Sequence, residues 1–125
     1  YVAKARHEMV IVKMKLGKYS EALALAKNCY EHSPSNTYFI EIYYRCLLRM
    51  NNPSKQLLDN LLMEMEGSIG KNKKEMLIRM KTEYELYINK NKEKAKSIIF
   101  TAKLEKDCDN RFLELLLKDV QTFSM

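Results

Sequence analysis

Glycine and proline are scarce, with three and two among 125 residues. So few breakers leave nearly the whole length open to helix joined by short connections. Cysteine is also sparse. Cys29, Cys46 and Cys108 are odd in number and far apart, and no Cys-x-x-Cys pair occurs. That excludes a disulfide framework and points to thiols kept in a reducing compartment, which makes a cytoplasmic location the expectation. No apolar run reaches membrane-spanning length, and no signal peptide is visible. No segment alternates cleanly at period two, so no sheet is expected. The chain begins at Tyr1 rather than at a methionine, and reads as a fragment of something longer.

What is present is a hydrophobic fraction of 46% and a net charge of +6. A length of 125 residues suits a single domain, 1–125, with a real core. The positive balance either favours acidic partners, such as nucleic acid, anionic lipid or an acidic peptide, or reflects a soluble surface with spare lysine. Only Lys71, Lys73 and Lys74 form a tight basic run.

Seven helices are expected in order. Val2, Ala5, Met9, Val12 and Leu16 recur at spacings of three and four, which predicts the apolar face of the first. Lys4, His7, Ile11 and Lys15 fall on its opposite face. Gly17 can take the positive φ that closes a helix, and the second helix runs from Tyr19 to about His32. Ala22, Leu23, Ala26, Cys29 and Tyr30 are its apolar positions. Ser33–Asn36 reads as a stop followed by a cap, opening a third helix from Thr37 to Met50. Its apolar face is Ile40, Tyr43, Tyr44, Leu47 and Met50, with Tyr38, Glu41, Arg45 and Arg49 directed away.

Asn51-Asn52-Pro53 predicts a left-handed end at Asn51, a cap at Asn52 and a first helical position at Pro53. The fourth helix then buries Leu57, Leu58, Leu61, Leu62 and Met65. Glu66–Lys71 reads as a flexible loop, and Asn72 with Glu75 as a capping box. The fifth helix carries Met76, Leu77, Met80, Tyr84, Tyr87 and Ile88. Asn91 caps a sixth with Ala95, Ile98, Ile99 and Ala102 inward, and Asp109 opens a seventh with Phe112, Leu115, Leu116, Val120 and Phe123.

Internal repetition organises these elements. Ala95, Ile99 and Ala102 have the spacings of Ala22, Ala26 and Cys29. Leu16-Gly17-x-Tyr19-x-x-Ala22, the small residue at Cys29 and the terminal Pro34 resemble the tetratricopeptide repeat family. The resemblance is good from Leu16 to Asn36 and partial from Ala95 to Ala102. Gln56 and Asn60 depart from the usual small and aromatic residues, and Lys13 from an aromatic.

The resemblance implies an all-α, right-handed superhelix of about three antiparallel hairpins, 3–36, 37–70 and 71–108, with a capping helix at 109–123. Such pairs bury their faces by stacking. It further implies a concave groove, lined by first helices, that holds a peptide or partner helix. Lys4, His7, Ile11, Lys15, Tyr38, Arg45, Arg49, Leu77, Lys81 and Tyr84 would face it. Cations beside aromatics suit an acidic or carboxylate-bearing peptide.

Chemistry is not legible. His7-Glu8 opens like a zinc-protease helix, but Ile11 stands where its second histidine belongs. Cys29-x-x-His32 lacks a second ligand pair. Gly67–Lys71 resembles a phosphate loop without its preceding strand or following hydroxyl. Neither catalysis, a metal nor a cofactor is expected. The function expected is a protein- or peptide-binding module, a scaffold or sensor part of a regulatory protein. The alternatives are a helical-repeat RNA binder and a self-association domain. The latter would use Phe112, Leu116, Val120 and Phe123, or the open first helix.

Overall fold

In a computed structural model that describes residues 2–106 and 108–124, seven helices form and no strand does. They are α1 (Val2–Lys15), α2 (Tyr19–His32), α3 (Thr37–Leu48), α4 (Lys55–Gly67), α5 (Lys73–Tyr87), α6 (Lys92–Glu105) and α7 (Asn110–Thr122). The all-α class expected from the scarcity of breakers is what the chain adopts. Helices α1–α4 make one compact unit ending at Lys71, and α5–α7 a second beginning at Asn72.

The stops and caps are set by local chemistry. Gly17 takes φ +76°, a left-handed value open to glycine without strain, and closes α1 ahead of α2. Lys13 on α1 and Glu21 on α2 then form an ion pair at 3.1 Å. The Asn36 side chain accepts from the Tyr38 and Phe39 amides, satisfying two donors that α3 leaves open. Asn91 and Asp109 cap α6 and α7 in the same way, accepting from the Lys94 and Arg111 amides.

Two of the expected caps fall elsewhere. The left-handed residue after α3 is Asn52, not Asn51, and Ser54 rather than Asn52 caps α4 by accepting from Leu57 N–H. Pro53 therefore precedes the cap instead of opening the helix. At Asn72 the side chain makes no cap hydrogen bond, and Glu75 Oε2 accepts from the Asp109 amide at 3.4 Å.

In the first unit α3 is central, touching α1, α2 and α4. Phe39, Ile40, Ile42, Tyr43, Tyr44, Cys46, Leu47 and Leu48 are all buried on it, while Met50 is half-buried beyond its end. The small Ala22, Ala26 and Cys29 are fully buried on α2, letting helices approach closely. On α4, Leu58, Leu61 and Met65 face inward. Full burial of a leucine is worth about 1.5–3 kcal/mol, so this face alone anchors α4.

The expected apolar face of α1 is turned outward. Ala5, Met9, Val12 and Leu16 are exposed, and the side chain of Val2 lies outside the described residues. Val10 and Met14 are buried instead, with Ala3 and His7 half-buried beside them. Both sides of α1 are apolar, so spacing alone supported either orientation.

The second unit has its own core of Leu86, Ala95, Ile99, Ala102, Leu113, Leu116 and Val120. Phe112 and Phe123 pack against it, Phe112 under Arg79 at 4.9 Å and Phe123 edge-on to Tyr87 at 4.9 Å. This corrects one expectation. Leu113, not Leu115, is the inward residue of α7; Leu115 is exposed. Leu116 and Val120 are buried in this unit's own core, and Phe112 and Phe123 pack half-buried against it. Thr82, Glu83 and Glu85 are buried on α5, where apolar residues alone were expected. Asn89 Nδ2 donates to Glu85 Oε1 at 2.8 Å, and Lys94 Nζ stands 3.7 Å from its other oxygen, which offsets the cost of burying that charge.

Candidate functional site

Because α3 is covered on its other sides, its least buried stripe is Tyr38, Arg45 and Arg49, at spacings of seven and four. The Asn36 cap fixes where α3 begins and thus where this stripe points. Alongside runs α1, whose Lys4, His7, Ile11 and Lys15 share a side at spacings of three, four and four. The two helices touch. The His7 and Tyr38 rings meet edge-to-face with centroids 5.4 Å apart.

Beneath them lies Glu41, at 1% exposure. Its Oε1 is 3.9 Å from His7 Nε2 and 3.8 Å from Arg45 Nη1. Arg45 and Glu41 therefore attract one another as opposite charges. His7 Nε2 is buried and has no hydrogen-bond partner. Arg49 Nη1 donates to the Arg45 carbonyl oxygen at 2.8 Å, closing the C-terminal end of α3 with a cation. Lys4, His7, Glu8 and Tyr38 line a small cavity of about 170 Å³ at the surface.

The structure therefore places His7 and Arg45 beside the Glu41 carboxylate, and Lys4 and Tyr38 beside His7 at the cavity. Ile11 is half-buried and Lys15 exposed further along α1. Leu77, Lys81 and Tyr84 belong to the second unit, where they share one side of α5; Lys81 is exposed and the other two half-buried. Two participants were missed. Glu41 was expected to point away from the interior, yet it is the buried centre of the cluster. Its one sequence signal is Arg45 four residues later in an otherwise apolar helix. Glu8, which lines the cavity, stood out only beside His7 in the incomplete zinc-protease pattern.

Elsewhere the donor sets do not assemble. Cys29 is buried and His32 exposed, so their three-residue spacing makes no common site. Burial pushes the Cys29 thiol up, with Arg6 partly opposing, so it is not a reactive thiolate. Cys29, Cys46 and Cys108 form no disulfide. Among the described residues no three His, Cys, Asp or Glu side chains are placed to hold a metal ion. Gly67 is the last residue of α4, and Gly70 packs against Thr37, so the glycine-lysine stretch follows a helix rather than a strand. No described helix is long and apolar enough to cross a membrane. Comparison with protein-family models, with curated proteins and with solved structures finds no match to this chain.

Proposed function

We propose that the chain is a protein- or peptide-binding module built of tetratricopeptide-like hairpins, serving as a scaffold or sensor part of a regulatory protein. Two features support the repeat reading. Each of α1 and α3 touches the next helix, and they touch each other, as stacked hairpins do. The triplets Ala22–Ala26–Cys29 and Ala95–Ile99–Ala102 are buried alike.

The observation that carries the binding reading is the stripe of Tyr38, Arg45 and Arg49 beside the Lys4–His7 cavity. An otherwise buried helix keeps its arginines and one of its tyrosines, Tyr38, on the side that remains accessible. Lys4 and the two arginines supply positive charge, and Tyr38 an exposed ring. An acidic peptide, or one ending in a carboxylate, is the ligand that this chemistry fits.

The test is a titration of the protein into fluorescein-labelled acidic peptides with free carboxyl termini. Lys4→Glu alters an exposed side chain and should hold the thermal midpoint, Tyr38→Ala should lower it slightly through the lost His7 ring contact, and both should weaken binding about threefold to tenfold. Affinity unchanged in both variants overturns the groove. Arg45 is unsuited to this test, since its charge also offsets buried Glu41.

A further inference from the structure

Helix α1 is apolar on two sides, and only one of them is covered. Val10 and Met14 fill the inner side, while Met9 and Val12 are each 53% exposed and Leu16 is 65% exposed. Ala5 extends the outer stripe at one end, and Tyr19, at 42% exposure, follows the turn at the other. A helix that is apolar all round is ordinarily buried all round. Met9, Val12 and Leu16 are spaced three and four apart, so they form one continuous ridge. Glu8, Lys13 and Lys18 join them around a recess of about 320 Å³. This recess lies on the other side of α1 from Val10 and Met14, and does not depend on the peptide groove proposed above.

We propose that this face of α1 docks an amphipathic helix from another polypeptide, one whose apolar stripe is flanked by Asp and Glu. A ridge of three anchors at helical spacing beside a recess is the pattern of helix-in-groove recognition. Charge selects the occupant. Along α1, Lys4, Arg6, Lys13 and Lys15 face a single acidic residue, Glu8, and Lys18 follows in the turn. Lys13 is engaged by Glu21, whose carboxyl it holds below the usual range. Lys18 is exposed at the margin of the recess, where an acidic flank would meet it. A second copy of the same face would set these cations against their own kind. A bilayer would have to fill a recess with Glu8 on its rim, placing a carboxylate against the apolar boundary.

The probe is a synthetic helical peptide of about 18 residues, with leucines along one face and glutamates on its flanks, followed by fluorescence anisotropy against the whole chain. Its twin carries lysine for glutamate. The glutamate peptide should bind, and the lysine twin about tenfold more weakly. Val12→Glu should weaken the glutamate peptide about tenfold, and Lys18→Glu, which spares the apolar ridge, about threefold. Both positions are exposed, so circular dichroism melts should match the wild type. Lys4→Glu and Tyr38→Ala should leave this binding intact, which separates the face from the peptide groove. No binding, equal binding of the twins, or wild-type affinity in Val12→Glu overturns the proposal. So does a dimer in light scattering that Val12→Glu dissolves, which would give the face to a second copy. Sedimentation with phosphatidylserine vesicles that Val12→Glu abolishes would give it to lipid, again overturning the proposal.

Discussion

A carboxylate moved out of water loses several kcal/mol of hydration, a cost that positive charge beside it offsets. Glu41 is in that position, with 2% of its side chain exposed and Arg45 3.8 Å away. Removing Arg45 strips the compensation and leaves the charge. Arg45→Ala should therefore destabilise the protein by about 3 kcal/mol, towards the lower end for broken buried pairs because Arg45 itself is partly wet. Glu41→Gln removes the charge along with its burial cost and should lose about 1 kcal/mol. Urea unfolding of both variants and the double variant checks this; strict additivity would mean the two groups are not coupled. Tyr30 offers a pH-dependent case. Its hydroxyl donates to Glu64 Oε1 at 2.6 Å. Burial first, and the neighbouring carboxylate second, push its ionisation up to about 12 from 10. Between those values the unfolded chain has released the proton that the folded protein keeps, so stability falls as pH rises. Tyr30→Phe has nothing to ionise. Its deficit against wild type, about 1 kcal/mol near neutrality, should shrink as pH climbs from 10 towards 12. Parallel urea titrations at neutral and alkaline pH measure the gap, and a constant gap refutes the assignment.

At the scale of the element, the informative helix is α7, where the inward residue is Leu113 rather than Leu115. Leu113→Ala opens a cavity in the second unit's core and should cost about 3 kcal/mol, whereas Leu115→Ala should cost less than about 0.5 kcal/mol. Thermal melts of the two variants report directly on how the helix is rotated. Helix existence was legible because Gly17, Pro34, Asn36, Asn91 and Asp109 punctuate the chain with side chains that end or cap helices. The facing of α2, α4 and α6 was legible too, since each has one apolar side: Ala22–Ala26–Cys29, Leu58–Leu61–Met65 and Ala95–Ile99–Ala102. On α1 and α7 more than one side is apolar, so periodicity could not choose. Tertiary packing chose Val10 and Met14 over Met9 and Val12. The candidate site divides along the same line. Tyr38, Arg45 and Arg49 were readable as the polar stripe of an apolar helix, but Glu41, two positions from Phe39 and sequestered beneath His7, was not. A buried charge is specified by what surrounds it, and the surroundings of Glu41 come from two helices about thirty residues apart in sequence.

For the whole molecule, the division at Lys71 follows from where apolar residues are invested. Each unit closes its own core, α1–α4 around the buried faces of α3 and α5–α7 around Ile99, Leu113 and Val120. Between α4 and α5 runs Ser68–Asn72, where Ile69 is fully exposed at 100% and Lys71 is exposed. Exposed backbone outside helices is cut first, because a protease needs an extended substrate and need not unfold a core to obtain one. Brief trypsin treatment should therefore cleave first at Lys71, giving one fragment that ends there and one that begins at Asn72, identified by mass. Leu86, Ala95, Ile99, Ala102, Leu113, Leu116 and Val120 cluster within the Asn72 fragment, and α3 carries the buried side chains of the other, so both should persist well after the intact chain is gone. Leu113→Ala should shorten the lifetime of the Asn72 fragment several-fold by raising the population of its opened form, while leaving the other fragment unchanged. A first cut inside any helix, or loss of both fragments together in that variant, would show that the two cores open as one cooperative unit.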